Sequence, residues 1–112
     1  MPPTPLPGRP ARGSRSGRPI MALLDLLGRR WTLRVMWELR DSTPQTFREL
    51  QSRCGDVSSS VLSTRLRELD EAGLITHLGE GYVLTDQGTS LLGHLLPLDA
   101  WATRWAADAR RR

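Results

Sequence analysis

Ser60, Ser63, Thr64 and Arg67 recur at three- and four-residue intervals, so a helix gathers them on one face. Their chemistry suits a polar ligand. Hydroxyls donate to or accept from base edges and phosphate oxygens, and a guanidinium forks onto a guanine or a phosphate. Ser58 and Ser59 stand just before them, with Ser58 placed as an N-cap and Val57 positioned to staple onto Leu62. Leu62, Leu66 and Leu69 occupy the other face at the i, i+4, i+7 spacing of a buried stripe. Taken alone, the pattern also describes an ordinary amphipathic surface helix, so its neighbours must decide.

No catalytic constellation accompanies these residues. His77 and His94 have no motif around them and are expected to be surface or packing residues. The chain has no H-x-x-x-H, C-x-x-C, G-x-S-x-G or phosphate-cradling glycine loop, so neither an enzyme nor a metal or cofactor site is expected. The single cysteine, Cys54, excludes an internal disulfide framework and fits a reducing compartment, hence a cytoplasmic setting. It has two readings: a small buried hydrophobe, or a thiol whose pKa the adjacent Arg53 lowers.

The elements that would position the polar face can be read from local signals. Thr46-Phe47-Arg48-Glu49 has the T-x-x-E form of a capping box and starts a helix running to about Arg53, with Phe47 and Leu50 inward. Cys54-Gly55-Asp56 is a glycine turn, so the order is helix, short turn, helix. Gly73 ends the second of these helices, and Ile75–His77 pairs with Tyr82–Leu84 across Leu78-Gly79-Glu80-Gly81 as a hairpin.

Upstream, Ile20–Leu27 reads as a short helix with Pro19 at its first position and Gly28 at its end. Arg30–Leu39 reads as a helix whose wide apolar face implies burial between other helices. Downstream, Thr85 and Asp86 suit the start of a last helix carrying Leu91, Leu92, Leu95, Leu96, Leu98, Trp101 and Trp105. Pro97 is expected to kink that helix or break it in two.

At 112 residues the chain is one domain with one core. No apolar run reaches the length of a bilayer span, so no membrane association is expected. Residues 1–19 are a basic Pro/Gly/Arg-rich arm expected to be disordered, and 110–112 are a basic tail. The arm either adds phosphate contacts of no sequence preference or is an inert extension. All sixteen basic residues are arginine, and the net charge of +4 is unevenly spread. Residues 20–109 hold nine arginines against twelve acids, a balance of −3. Within them, 28–67 stand at +4 and 68–109 at −6, which puts the positive potential on the half bearing the hydroxyl-rich helix.

Three stretches carry a family resemblance. LLGRRWTLRVMWEL (26–39), TFRELQSRCGDVSSSVLSTRLRELDEAGLI (46–75) and YVLTDQGTSLLGHLLPLDAW (82–101) resemble, in order, the opening helix, the helix-turn-helix and the wing strand with closing helix of HxlR-type winged helix-turn-helix regulators, which are MarR-like. The resemblance implies a mainly α fold with a small β-hairpin wing (α+β), and a homodimer formed by the terminal helices through Leu91, Leu95, Leu98, Trp101 and Trp105. It implies two recognition helices in successive major grooves of double-stranded DNA, with half-sites about one turn, roughly 34–36 Å, apart. By position, Ser58, Ser59, Ser60, Ser63, Thr64 and Arg67 inherit the DNA-facing role. Arg48 and Arg53 are phosphate contacts from the preceding helix, and Arg65, on the flank, serves either packing or phosphate.

The chain departs from the family pattern in three ways. It lacks the cysteine many members carry before the first helix. Its wing is short and tipped by Glu80. Finally, Thr46-Phe47 stands where Arg-Phe is common. The expected function is a sequence-specific transcriptional regulator acting as a homodimer on a pseudo-palindromic operator. The alternative is a winged helix used for protein contact, which the acidic wing favours and in which Trp101 and Trp105 form a docking surface. No small-molecule effector can be read from these residues.

Overall fold

The computed structural model describes residues 3–111. The described residues run α1 (Pro19–Leu27), α2 (Thr32–Glu38), α3 (Phe47–Arg53), α4 (Ser59–Glu71), β1 (Ile75–Leu78), β2 (Gly81–Leu84) and α5 (Asp86–Arg110). This is the expected α+β architecture of helices with one antiparallel hairpin. Arg112, the last residue of the basic tail, lies outside the described residues, as do Met1 and Pro2.

Local chemistry accounts for most of the boundaries. The capping box at the start of α3 is complete: Thr46 Oγ1 accepts from the Glu49 N–H at 3.2 Å, and the Thr46 N–H donates to Glu49 Oε1 at 3.3 Å. Ser58 caps α4 by accepting from the Val61 N–H at 3.2 Å, and both Val57 and Leu62 are buried in the core. Gly73, with φ +77°, closes α4. Its N–H reaches the Asp70 carbonyl and the Leu74 N–H reaches the Leu69 carbonyl, the paired bonds of a Schellman motif.

Three boundaries differ from the sequence expectation. α2 starts at Thr32 instead of Arg30 because Trp31 takes a left-handed φ of 77°, which no helix interior accommodates. Its apolar face is only partly covered: Val35, Met36 and Leu39 are buried, whereas Leu33 and Trp37 stay exposed. The hairpin is one pair longer at its turn end, with Leu78 opposite Gly81, which leaves a two-residue turn of Gly79 and Glu80. α5 runs through Pro97 without breaking in two. Gly93, four residues before the proline ring, has open space where a Cβ would stand.

Two further contacts were not foreseen. Gln45 exchanges both backbone hydrogen bonds with Tyr82, at 3.1 and 2.8 Å, and so pins the loop before α3 to the wing. A Cβ on Gly81 would stand 2.8 Å from the Gln45 nitrogen and from Pro44 Cβ, so only glycine permits this approach.

The N-terminal segment corrects another expectation, because residues 3–18 form a folded loop and not a disordered arm. Gly8 donates to the Gly17 carbonyl at 3.0 Å, and Ala11 and Ser14 exchange hydrogen bonds at 2.8 and 2.9 Å. Arg9 pairs with Glu71 at 3.0 Å, the Arg12 N–H donates to Asp25 Oδ2 at 3.1 Å, and Arg29 Nη2 donates to the Pro3 carbonyl at 3.0 Å. Polar ties to α1, α4 and the α1–α2 turn hold the loop, and composition does not register such ties.

The core gathers Leu26, Val35, Met36, Leu50, Leu62 and Leu69 from α1 to α4, and Leu74 and Ile75, at the start of the wing, complete it. At about 25 cal/mol per Å2 of apolar area removed from water, these side chains dominate the stability of α4. No helix among the described residues is long and apolar enough to cross a membrane.

Candidate nucleic-acid interface

α4 separates its two faces cleanly. Leu62, Leu66 and Leu69 are buried, while Ser59, Ser60, Ser63 and Arg67 are exposed and Thr64 is half-buried. The hydroxyls differ in what they have left to offer. Ser58 spends its oxygen on the cap, and Ser59 Oγ accepts from Gln51 Nε2 at 3.2 Å. Thr64 Oγ1 donates to the Ser60 carbonyl at 2.9 Å and keeps only its lone pairs for a ligand. Arg67 lies 3.9 Å from Glu71 in an i,i+4 pair on an exposed surface, an interaction worth only ~0.2–1 kcal/mol that a duplex can displace. On α3, Arg48 and Arg53 are both exposed. The Arg53 carbonyl accepts from Arg34 Nη2 at 2.9 Å, which ties the end of α3 to α2.

The structure draws Arg65 inward. Its Nε donates to the Arg30 carbonyl at 2.7 Å, and its Nη1 meets Glu68, which is 1 % exposed. Arg29 takes the other carboxylate oxygen of Glu68, so one buried acid holds two guanidiniums. A buried carboxylate needs such partners. Of the two roles open to Arg65, the structure favours packing. Its effect on the interface is to fix α4 against the α1–α2 turn. Sequence reasoning missed Glu68 and Arg29. The one local signal was the i,i+3 spacing of Arg65 and Glu68.

The wing presents Glu80, exposed at its tip. A carboxylate there repels phosphate, so the wing brings no favourable charge to a duplex. The His77 and Tyr82 rings lie 4.3 Å apart, and both His77 and His94 are exposed. Cys54 is 1 % exposed, and burial, reinforced by Glu38 and opposed by Arg34, pushes its thiol pKa up. This is the packing role of the two readings, and the thiol pKa moves opposite to the lowering that the Arg53 reading requires.

α5 shows the opposite arrangement. Trp101 and Trp105 stack with ring centroids 5.9 Å apart and are 53 % and 62 % exposed. Leu96 and Leu98 are also exposed, and with Leu33, Trp37, Leu92 and Leu95 they line an apolar groove of about 440 Å3 between α2 and α5. Unlike Leu98, Trp101 and Trp105, Leu91 is partly buried and packs against the chain's own core.

A capped helix pair joined by a glycine turn, with a two-stranded wing behind the second helix, defines a winged helix-turn-helix protein. The family model described as HxlR-like helix-turn-helix matches residues 26–110, and the chain belongs to that family. It is a DNA-binding transcriptional regulator of that type. The chain is 33% identical over 89 residues to the uncharacterized HTH-type transcriptional regulator YvaP of Bacillus subtilis (strain 168), covering 73% of this chain and 82% of the relative. Among solved structures, quinone-bound YodB from B. subtilis superposes with a TM-score of 0.71 at 29% identity, over 76% of this chain and 96% of that one. A possible HxlR family transcriptional factor from Thermoplasma volcanium GSS1 gives 0.66 at 31% identity, over 75% of this chain and 81% of its own.

Proposed function

We propose that the protein regulates transcription as a homodimer on a pseudo-palindromic operator. In this reading α4 lies in the major groove. Arg67 reads a base, Ser59, Ser60, Ser63 and Thr64 contact base edges or phosphates, and Arg48 and Arg53 position the protein on the backbone. The observation that carries the reading is the split on α4: its leucines are buried while its hydroxyls and Arg67 stand exposed. The positive balance of residues 28–67 supports it. A second copy covers Leu98, Trp101 and Trp105, because an apolar surface of this extent on a terminal helix is a partner surface. A regulator of this kind works in the compartment holding the chromosome, here the cytoplasm.

The test is selection from random duplex DNA with the purified protein, followed by affinity measured at two salt concentrations. A dyad-symmetric motif with half-sites about one turn apart is expected. Salt-sensitive binding with no sequence preference would reject the reading and leave the protein-contact alternative, for which Glu80 and the tryptophan surface speak.

A further inference from the structure

A cleft of about 540 Å3 opens between the N-terminal loop, the α1–α2 turn and α4. Its volume lies within the range of small-molecule sites. Four arginines line it, Arg12, Arg29, Arg30 and Arg65, against two carboxylates, Asp25 and Glu68. The internal pairing leaves part of this charge unspent. Glu68 is taken by Arg29 and Arg65, and Asp25 accepts from the backbone N–H of Arg12. Among the described residues, the guanidiniums of Arg12 and Arg30 have no carboxylate or carbonyl partner. Arg30 only stands 5.9 Å over the Trp31 ring. Both are exposed and line the cleft together with Ser60 and Thr64 of α4.

Two forked donors with a surplus positive charge, beside a serine hydroxyl, match a tetrahedral oxyanion. The geometry points to a phosphate site in this cleft, held by Arg12 and Arg30 with Ser60 at its α4 wall. Asp25 lines the same cleft, with Oδ2 held by the Arg12 backbone N–H. Because Ser60 and Thr64 belong both to this wall and to the exposed face of α4, a phosphate here sits at the edge of the proposed DNA interface. It comes either from the backbone of a duplex lying along α4, which rests on the regulator reading above, or from a free phosphorylated molecule, which does not. In the second case ligand and DNA compete for one patch.

The experiment compares the full-length protein with the double variant Arg12→Gln/Arg30→Gln. As a control, Arg104→Gln/Arg110→Gln removes the same charge from α5. The first arm follows binding to a duplex as salt rises. If the phosphate belongs to DNA, the log–log slope of the cleft variant falls by about 1.8, at roughly 0.9 for the one phosphate lost by each protomer of the dimer. Between 50 and 200 mM salt, the wild type then loses about 12-fold more affinity than the cleft variant. The second arm follows thermal unfolding without DNA as inorganic pyrophosphate is added at constant ionic strength. A saturable rise in Tm that the cleft variant loses and the control keeps identifies a free anion as the occupant.

Either positive result supports the site and names its source. The absence of a specific pyrophosphate effect overturns it when the slope is unchanged or falls equally in both variant pairs. If the wild type binds no DNA, the regulator reading fails while the pyrophosphate arm still decides the cleft. If sequence-specific binding survives with an unchanged slope and no pyrophosphate effect, the cleft proposal alone fails.

Discussion

α4 and α5 are both amphipathic helices, yet only one is completed by its own chain. α4 spans thirteen residues and buries Leu62, Leu66 and Leu69, together with Glu68, which two half-buried arginines hold. α5 spans twenty-five residues and buries only Gly88 and Leu92. What α4 leaves outside is hydroxyls and guanidinium, which water solvates well and a polyanion can use. What α5 leaves outside is leucine and tryptophan, which water solvates poorly. Exposure therefore means opposite things on the two helices: on α4 a finished element waits for a ligand, and on α5 an unfinished one waits for a protein surface.

The same truncation on each helix sharpens this contrast. Leu62→Ala is expected to cost about 2–5 kcal/mol of folding stability, because a fully buried leucine loses its transfer free energy and leaves a cavity. Leu98→Ala, at an exposed site, is expected to change the stability of the monomer by less than about 0.5 kcal/mol. Urea unfolding at low protein concentration measures both. Similar losses at the two sites would show that α5 is as complete as α4 and break the comparison. Next in size, removing Trp101 and Trp105 acts on association. Buried interface tryptophans are worth about 2 kcal/mol or more, so each alanine substitution is expected to weaken self-association by roughly 30-fold or more. Sedimentation equilibrium reads this directly. Unchanged association would move the seam away from the stacked pair.

The contrast also separates what the sequence made legible from what it did not. The Thr46–Glu49 box, the Ser58 cap and the Gly73 stop were all readable, because each acts within four or five residues of chain. So was the leucine stripe of α4, a consequence of helical period. The buried network was not: Arg29 and Glu68 are 39 residues apart, and Arg65 reaches the Arg30 carbonyl across 35. The folded N-terminal loop rests on Arg9 and Glu71, separated by 62 residues, and the Gln45–Tyr82 bridge likewise joins segments far apart in sequence. Composition could not distinguish an arginine solvated by water from one committed to a distant carboxylate. The exposed Trp37 was misjudged for a related reason: an apolar face reports that burial is wanted, not whether this chain or another supplies the cover.

On α4 itself the expected effect is smaller and depends on DNA sequence. Arg67→Ala is expected to cost about 1–3 kcal/mol on the selected operator and to relax preference at one base position, with folding stability unchanged. Competition binding against operators altered one position at a time measures this. A loss that is uniform across all sequences would make Arg67 a phosphate contact and leave base reading to the hydroxyls.

The smallest effect concerns Cys54, which packs beside α4 in the turn between α3 and α4 and belongs to the finished half of the molecule. Burial, aided by Glu38 and only partly offset by Arg34, raises its thiol pKa above the ordinary value of 9.0. The fold thus favours the neutral thiol. The resulting stabilisation is complete below pH 9.0 and is lost as pH rises through the raised folded value. Between neutral pH and about pH 8 stability should therefore be independent of this thiol's ionisation, and above pH 9 the wild type should lose stability faster than Cys54→Ala. Labelling by a thiol reagent at pH 7.5 should be correspondingly slow and track unfolding, since both the proton and the surrounding side chains shield the sulfur. Rapid labelling of the native protein would contradict this, because it would require the turn between α3 and α4 to open while the leucine stripe stays closed, and α4 would then not be the completed element that its buried face indicates.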